Sequence, residues 1–169
     1  MTETSDLDPQ TALVLEDLSG PDAVPVSDLE PPAARASIED FVARWDLNPK
    51  PEVAGVEDFQ IPGGETGVEI PARLYRPGSS SDRLPILVFV HAGGYVFGSI
   101  DTHDSFCRLI CRDAGCLVLS FNYRLSPEHK FPAAHEDSYA ALVWTSENAA
   151  RIGADPSKIA VGGDSSGGT

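Results

Sequence analysis

The clearest chemistry in this chain lies in Gly163-Asp164-Ser165-Ser166-Gly167-Gly168, a G-x-S-x-G pattern centred on Ser165. A serine hydroxyl is a weak nucleophile at neutral pH and needs a neighbouring base. It must also be presented on a sharp turn, because a serine lying flat on a strand cannot be approached by substrate. Gly163 and Gly167 stand two residues to either side, where the lack of a side chain lets the backbone turn tightly. A second element, His91-Ala92-Gly93-Gly94, follows the apolar run 86–90. Tetrahedral acyl-transfer intermediates need amide donors aimed at the developing negative oxygen, and losing one donor costs about 2.7–4 kcal/mol of barrier stabilisation. Glycines present such N–H groups without a side chain in the way. The two segments together are apparatus for nucleophilic acyl transfer.

Elements must hold these segments in place. The run 86–90, Ile-Leu-Val-Phe-Val, suits a strand buried on both faces, and 116–121 and 158–161 read the same way. Helices are predicted over 104–113, stopped by Gly115, and over 138–152. Strands alternating with crossover helices imply a largely parallel sheet. Upstream, 56–61 and 68–75 flank Gly63, Gly64 and Gly67 and predict an antiparallel hairpin, with Pro71 putting the second strand near an edge or bulge. Two amphipathic helices open the chain. Asp8 caps the first, with Pro9 at its first position and Gly20 as its stop. A linker covers 21–32, and a second helix runs from Ser37 to Asn48-Pro49, with Ile38, Phe41, Val42 and Trp45 on one buried face. The division is therefore a helical N-terminal region over 1–52 and a core over 53–169.

Charge excludes some functions. Residues 1–60 carry 14 acidic and 3 basic side chains, a net of −11 within the total of −14. Such a surface repels phosphate backbones, so nucleic acid and anionic membranes are poor partners. The N-terminus has no positive start followed by an apolar stretch, and no run is long enough to span a bilayer, so a cytoplasmic protein is expected. Cys107, Cys111 and Cys116 match no usual zinc spacing and read as buried thiols; no metal site is assigned.

In sequence the chain resembles the hormone-sensitive-lipase-like carboxylesterases of the α/β-hydrolase superfamily. The segment 91–98 is similar to that family's H-G-G-G oxyanion segment, with Ala92 in place of the first glycine. The segment 123–134, Y-R-L-S-P-E-H-K-F-P-A-A, is similar to its Y-R-L-A-P-E-H-x-F-P-A-A segment, and 163–168 to its G-D-S-A-G-G turn, with Ser166 in place of alanine. The resemblance implies an incomplete α/β-hydrolase fold: a mostly parallel sheet, an antiparallel N-terminal hairpin and a helical N-terminal cap. It implies Ser165 as nucleophile, the backbone N–H groups of Gly93, Gly94 and Ser166 as oxyanion donors, and His91, Gly163 and Gly167 as structural residues of the site. It implies small-molecule carboxylic esters of short or medium acyl chain as substrates, and no cofactor. Oligomeric state is left open.

The family's triad acid and histidine follow the serine in sequence, and no histidine follows Ser165 here. His103 is expected to pair at the surface with Asp101 or Asp104, while His129 and His135 read as loop or packing residues. Asp137 and Asp155 precede the serine, and Asp164 reads as part of the turn. The expectation is a serine ester hydrolase whose 169-residue chain alone is inactive, with an apolar strand edge open at 158–161. The alternatives are a non-catalytic ligand-binding module on the same fold and an inactive fragment.

Overall fold

The apolar runs 86–90 and 116–121 become the middle of one sheet, where strands must tolerate burial on both faces. The run 158–161, expected to be equally buried, lies in the last strand of that sheet among the described residues and is largely exposed. The structure is a computed structural model and describes residues 7–19, 24–65, 67–78 and 82–169. In chain order it contains α1 (Pro9–Ser19), a 3-10 turn (Val26–Asp28), α2 (Pro31–Trp45), β1 (Gly55–Pro62), β2 (Glu69–Arg76) and β3 (Leu84–Val90). There follow α3 (Asp104–Ala114), β4 (Leu117–Phe121), α4 (Ala133–Asn148), β5 (Ala154–Gly163) and a 3-10 turn (Ser165–Gly168). The strand order is β1-β2-β4-β3-β5. β1 and β2 form an antiparallel hairpin, β2 pairs antiparallel with β4, and β4, β3 and β5 run parallel. This is the mixed, mostly parallel sheet of an α/β-hydrolase, with helical crossovers between its parallel strands.

Side-chain alternation along the strands separates two cores. Ile86, Val88, Leu117, Leu119 and Phe121 face Ala134 and Ala141 of α4, while Phe89 and Val118 join Tyr75 against Cys107 and Cys111 of α3. Each such apolar side chain contributes about 1.5–3 kcal/mol on burial. Burial pushes the Cys107 and Cys111 thiols up to about 12, so both pack as small uncharged groups.

Several expected boundaries move. α2 begins at Pro31 rather than Ser37, because the first helical turn has no intrahelical use for the N–H groups that Pro31 and Pro32 lack. The expected linker 21–32 is shortened by the turn Val26–Asp28, and its residues 21–23, like the Gly20 stop, lie outside the described residues. The expected buried face of α2 is only half-buried. Ala34 is its one buried residue, and Trp45 is exposed, giving its indole N–H to Asp17 of α1. At the other end of α1, the Asp8 carboxylate accepts the N–H groups of Gln10 and Thr11 as a cap.

α4 starts at Ala133, five residues before the expected Ser138, so the A-A-H-E-D stretch is helix rather than loop. β2 is an interior strand, not an edge, yet it accommodates Pro71. Only Ala72–Tyr75 pair with β4, and the Pro71 carbonyl accepts the Asn122 N–H just past that ladder. Among the described residues β5 pairs only with β3, and Val161 on it is exposed.

Candidate active site

Three parallel strands end on the same side of the sheet, and the segments that could do chemistry lie just past them. β5 pairs with β3 as far as Gly163 opposite Val90. Beyond it Ser165 adopts φ +48°, a left-handed conformation that costs a non-glycine residue about 1–2 kcal/mol. Gly163 and Gly167 are needed for clearance: a Cβ on either would overlap the Val90 carbonyl oxygen. The serine turn thus lies against the end of β3, and Ser165 itself is exposed.

The segment after β3 makes a second unusual turn. Gly93, Gly94 and Tyr95 have φ of +134°, +58° and +64°, and the Gly93 carbonyl accepts the N–H groups of Val96 and Phe97 at 2.9 and 3.0 Å. A Cβ on Gly93 would overlap the Phe97 carbonyl oxygen. Ala92 stays outside the left-handed region, so its side chain in place of glycine is not strained.

Three hydrogen bonds tie the two turns together. Ala92 N–H donates to Asp164 Oδ1 at 3.0 Å, Gly94 N–H to Ser166 Oγ at 3.0 Å, and Tyr95 Oη to the Ser166 carbonyl at 2.9 Å. Among the described residues the N–H groups of Gly93 and Ser166 have no acceptor.

His91 is wholly buried and stacks on Tyr123 with ring centroids 4.2 Å apart. Its Nδ1 lies 2.8 Å from the Ala92 carbonyl, which can only accept, so Nδ1 carries the hydrogen. Tyr123 Oη donates to the His91 carbonyl at 2.9 Å. Burial drives the His91 imidazole down to about 4, outweighing the Ala92 carbonyl, which favours the charged form.

His103 does not pair with Asp101 or Asp104. Its Nε2 is 3.5 Å from Asp164 Oδ2 and its Nδ1 2.9 Å from Thr102 Oγ1. Arg73 takes Asp101, and Asp104 is held by Lys50, Arg73, Tyr75 and Arg108. His129 is exposed, and His135 is exposed between Tyr95 and Phe131. Asp137 is buried under Arg124, which reaches it through its backbone N–H, Nε and Nη2 at 2.9 Å each. Asp155 accepts the N–H and hydroxyl of Ser157. Among the described residues no histidine or carboxylate hydrogen-bonds the Ser165 hydroxyl, and no group of three or more His, Cys, Asp or Glu is gathered as a metal site.

Sequence reasoning missed Arg35. From α2 its Nε donates to the Val96 carbonyl at 2.7 Å and its Nη2 to the Ser126 carbonyl at 2.9 Å, while both Nη groups fork onto Glu128. It also underrated Asp164, whose carboxylate bridges the Ala92 amide and His103. Arg35 stands in no motif, and Asp164, though part of the serine-turn motif, meets Ala92 and His103 only once the chain has folded.

Comparison with known proteins agrees with this architecture. A family model described as alpha/beta hydrolase fold matches residues 87–169. The hyperthermophilic esterase from the archaeon Pyrobaculum calidifontis superposes with a TM-score of 0.86 at 40% identity, over 95% of this chain and 50% of that one. This chain has the α/β-hydrolase fold. It is 48% identical over 166 residues to the carboxylic ester hydrolase LipN of Mycobacterium tuberculosis, covering 96% of this chain and 42% of LipN. It is 51% identical over 100 residues to the carboxylesterase NlhH of the same organism, covering 59% of this chain and 31% of NlhH. The chain thus spans about half the length of the proteins it matches, or less. The sequence resemblance to the hormone-sensitive-lipase-like carboxylesterases is borne out by these relatives. No helix among the described residues is long and apolar enough to cross a membrane.

Proposed function

We propose that Ser165 is the nucleophile of a carboxylic ester hydrolase whose oxyanion donors are the backbone N–H groups of Gly93, Gly94 and Ser166. The observation that carries this reading is the left-handed Ser165 turn bound to the Gly93-Gly94 turn by three hydrogen bonds. An exposed serine beside outward amides is what acyl transfer requires. Ser165 Oγ attacks the ester carbonyl carbon while a base takes its proton, and the carbonyl oxygen gains negative charge opposite the amides. The alcohol leaves with that proton, and water then cleaves the acyl-serine to give the acid and restore the hydroxyl. The names of the relatives support small carboxylic esters as substrates. Residues 1–52 act as a helical cap on the core formed by 53–169, a division supported by the Arg35 bonds.

The test compares the 169-residue chain and the product of the whole coding sequence on p-nitrophenyl butyrate, each beside its Ser165→Ala variant. The 169-residue chain should be no faster than its variant. In the product of the whole coding sequence, Ser165→Ala should cost roughly 10³-fold or more. Undiminished hydrolysis in that variant would overturn the assignment of Ser165. Saturable ester binding with no release of nitrophenol would favour a ligand-binding module on the same fold. That second reading is favoured by one observation, the lack of a base on Ser165 among the described residues.

A further inference from the structure

Ser166 contributes its amide to the proposed oxyanion hole, but its side chain has no part in that scheme. The related carboxylesterase motif has alanine at this position, so the hydroxyl is an addition. In this structure it accepts the Gly94 N–H at 3.0 Å, within the range of a full N–H···O bond. We propose that the Ser166 hydroxyl is a resident plug of the oxyanion hole, holding the Gly94 N–H until a substrate carbonyl displaces it. The proposal rests on the reading of Gly94 as an oxyanion donor.

The surroundings leave the hydroxyl free to act this way. Tyr123 Oη gives its hydrogen to the His91 carbonyl at 2.9 Å and so is no donor to Ser166 Oγ. A hydroxyl oxygen has two lone pairs, and one of them takes the Gly94 N–H. Tyr95 Oη holds the Ser166 carbonyl at 2.9 Å, so the backbone is anchored and release requires only rotation of the Ser166 side chain. The N–H groups of Gly93 and Ser166 have no acceptor among the described residues. Two donors thus stand open and the third is occupied.

An amide has one hydrogen and cannot serve Oγ and a substrate oxygen fully at once. A neutral ester carbonyl competes with the serine hydroxyl on nearly even terms. A developing oxyanion forms a charge-assisted bond about twice as strong and displaces it. Whichever species displaces it, the Oγ–Gly94 bond is lost by the time the oxyanion forms, so the plug lowers kcat/KM.

Steady-state kinetics and the Gly94 amide signal in ¹⁵N-labelled protein provide the test, on the product of the whole coding sequence. Ser166→Ala should raise kcat/KM for p-nitrophenyl butyrate about fivefold, the worth of about one net hydrogen bond. It should also move the Gly94 amide upfield and speed its hydrogen exchange, with Gly93 unaffected. Ser166→Thr, which keeps a hydroxyl, should restore the Gly94 signal. A Gly94 signal unmoved in Ser166→Ala overturns the proposal, as does a kcat/KM that is unchanged or lowered. Should hydrolysis prove independent of Ser165, the ester-hydrolase reading fails separately. Titration with methylphosphonate, a tetrahedral oxyanion, then decides the plug: binding read at Gly94 should tighten about fivefold in Ser166→Ala, and equal binding overturns it.

Discussion

His91 opens the turn that follows β3, but its side chain points into the core, flat on Tyr123 and without solvent exposure. Burial is the main reason its imidazole falls to about 4 from an ordinary 6.5, and the nearby His103 pushes the same way. The unfolded chain therefore takes up this proton first. Stability from the neutral ring is fully present above about pH 6.5 and is lost as pH falls toward 4, by about 3 kcal/mol in all. His91→Asn, which keeps a donor for the Ala92 carbonyl, should flatten this part of the stability curve. Chemical denaturation at pH 7, 5.5 and 4.5 measures it, and equal slopes in both proteins would refute the role given to His91. Ser165 and its flanking glycines follow another logic. The left-handed serine is strained and the glycines are forced by the Val90 carbonyl, so the local cost is met by packing against β3.

Among the elements, α2 is the one whose placement bears on chemistry without carrying any. Its inner face buries little, so its docking to the core depends on Arg35 more than on apolar area. Arg35 grips the Val96 carbonyl, and the Val96 N–H in turn grips the Gly93 carbonyl. The Ser126 carbonyl, also held by Arg35, belongs to a residue whose N–H donates to the Tyr95 carbonyl at 2.7 Å. One guanidinium thus joins α2, the turn after β3 and the segment after β4. Arg35→Ala should raise amide hydrogen exchange roughly tenfold across 31–45 and at Val96 and Phe97, with β3 and β4 unchanged. Uniform exchange across all these segments in both proteins would show that Arg35 couples nothing.

Across the molecule, one buried carboxylate gathers distant parts of the chain. Asp104 at the start of α3 is 2% exposed and meets Lys50 from beyond α2, Arg73 and Tyr75 from β2, and Arg108 one turn along its own helix. Burial alone would raise its pKa, but the Lys50, Arg108 and Tyr75 hydrogen bonds prevail and bring it down to about 2. Its stabilisation is present above about pH 4 and disappears as pH falls toward 2. Asp104→Asn should cost about 2 kcal/mol at pH 7, since three partly or well exposed cations lose the buried carboxylate they share. The gap between the two proteins should narrow below pH 4, and urea midpoints at pH 7 and 3 measure it. A gap independent of pH would mean that packing, not charge, is what Asp104 supplies.

Patterns that repeat along the chain made much of this protein legible in advance. Apolar runs marked β3, β4 and the end of β5, Gly115 marked the end of α3, and three short motifs marked the site, because strand burial, helix stops and tight turns each act over a few neighbouring residues. Ser166 could be placed on the serine turn because a tight turn is set by neighbouring residues. What its hydroxyl touches could not be read, since Gly94 lies 72 residues upstream and meets it only after β3 and β5 pair. The same holds for Arg35 on Val96, for His103 on Asp164 rather than on its neighbours Asp101 and Asp104, and for the interior Pro71 strand. Sequence order sets local conformation, whereas the partner of a polar side chain is chosen by whichever group the folded sheet brings within about 3 Å of it.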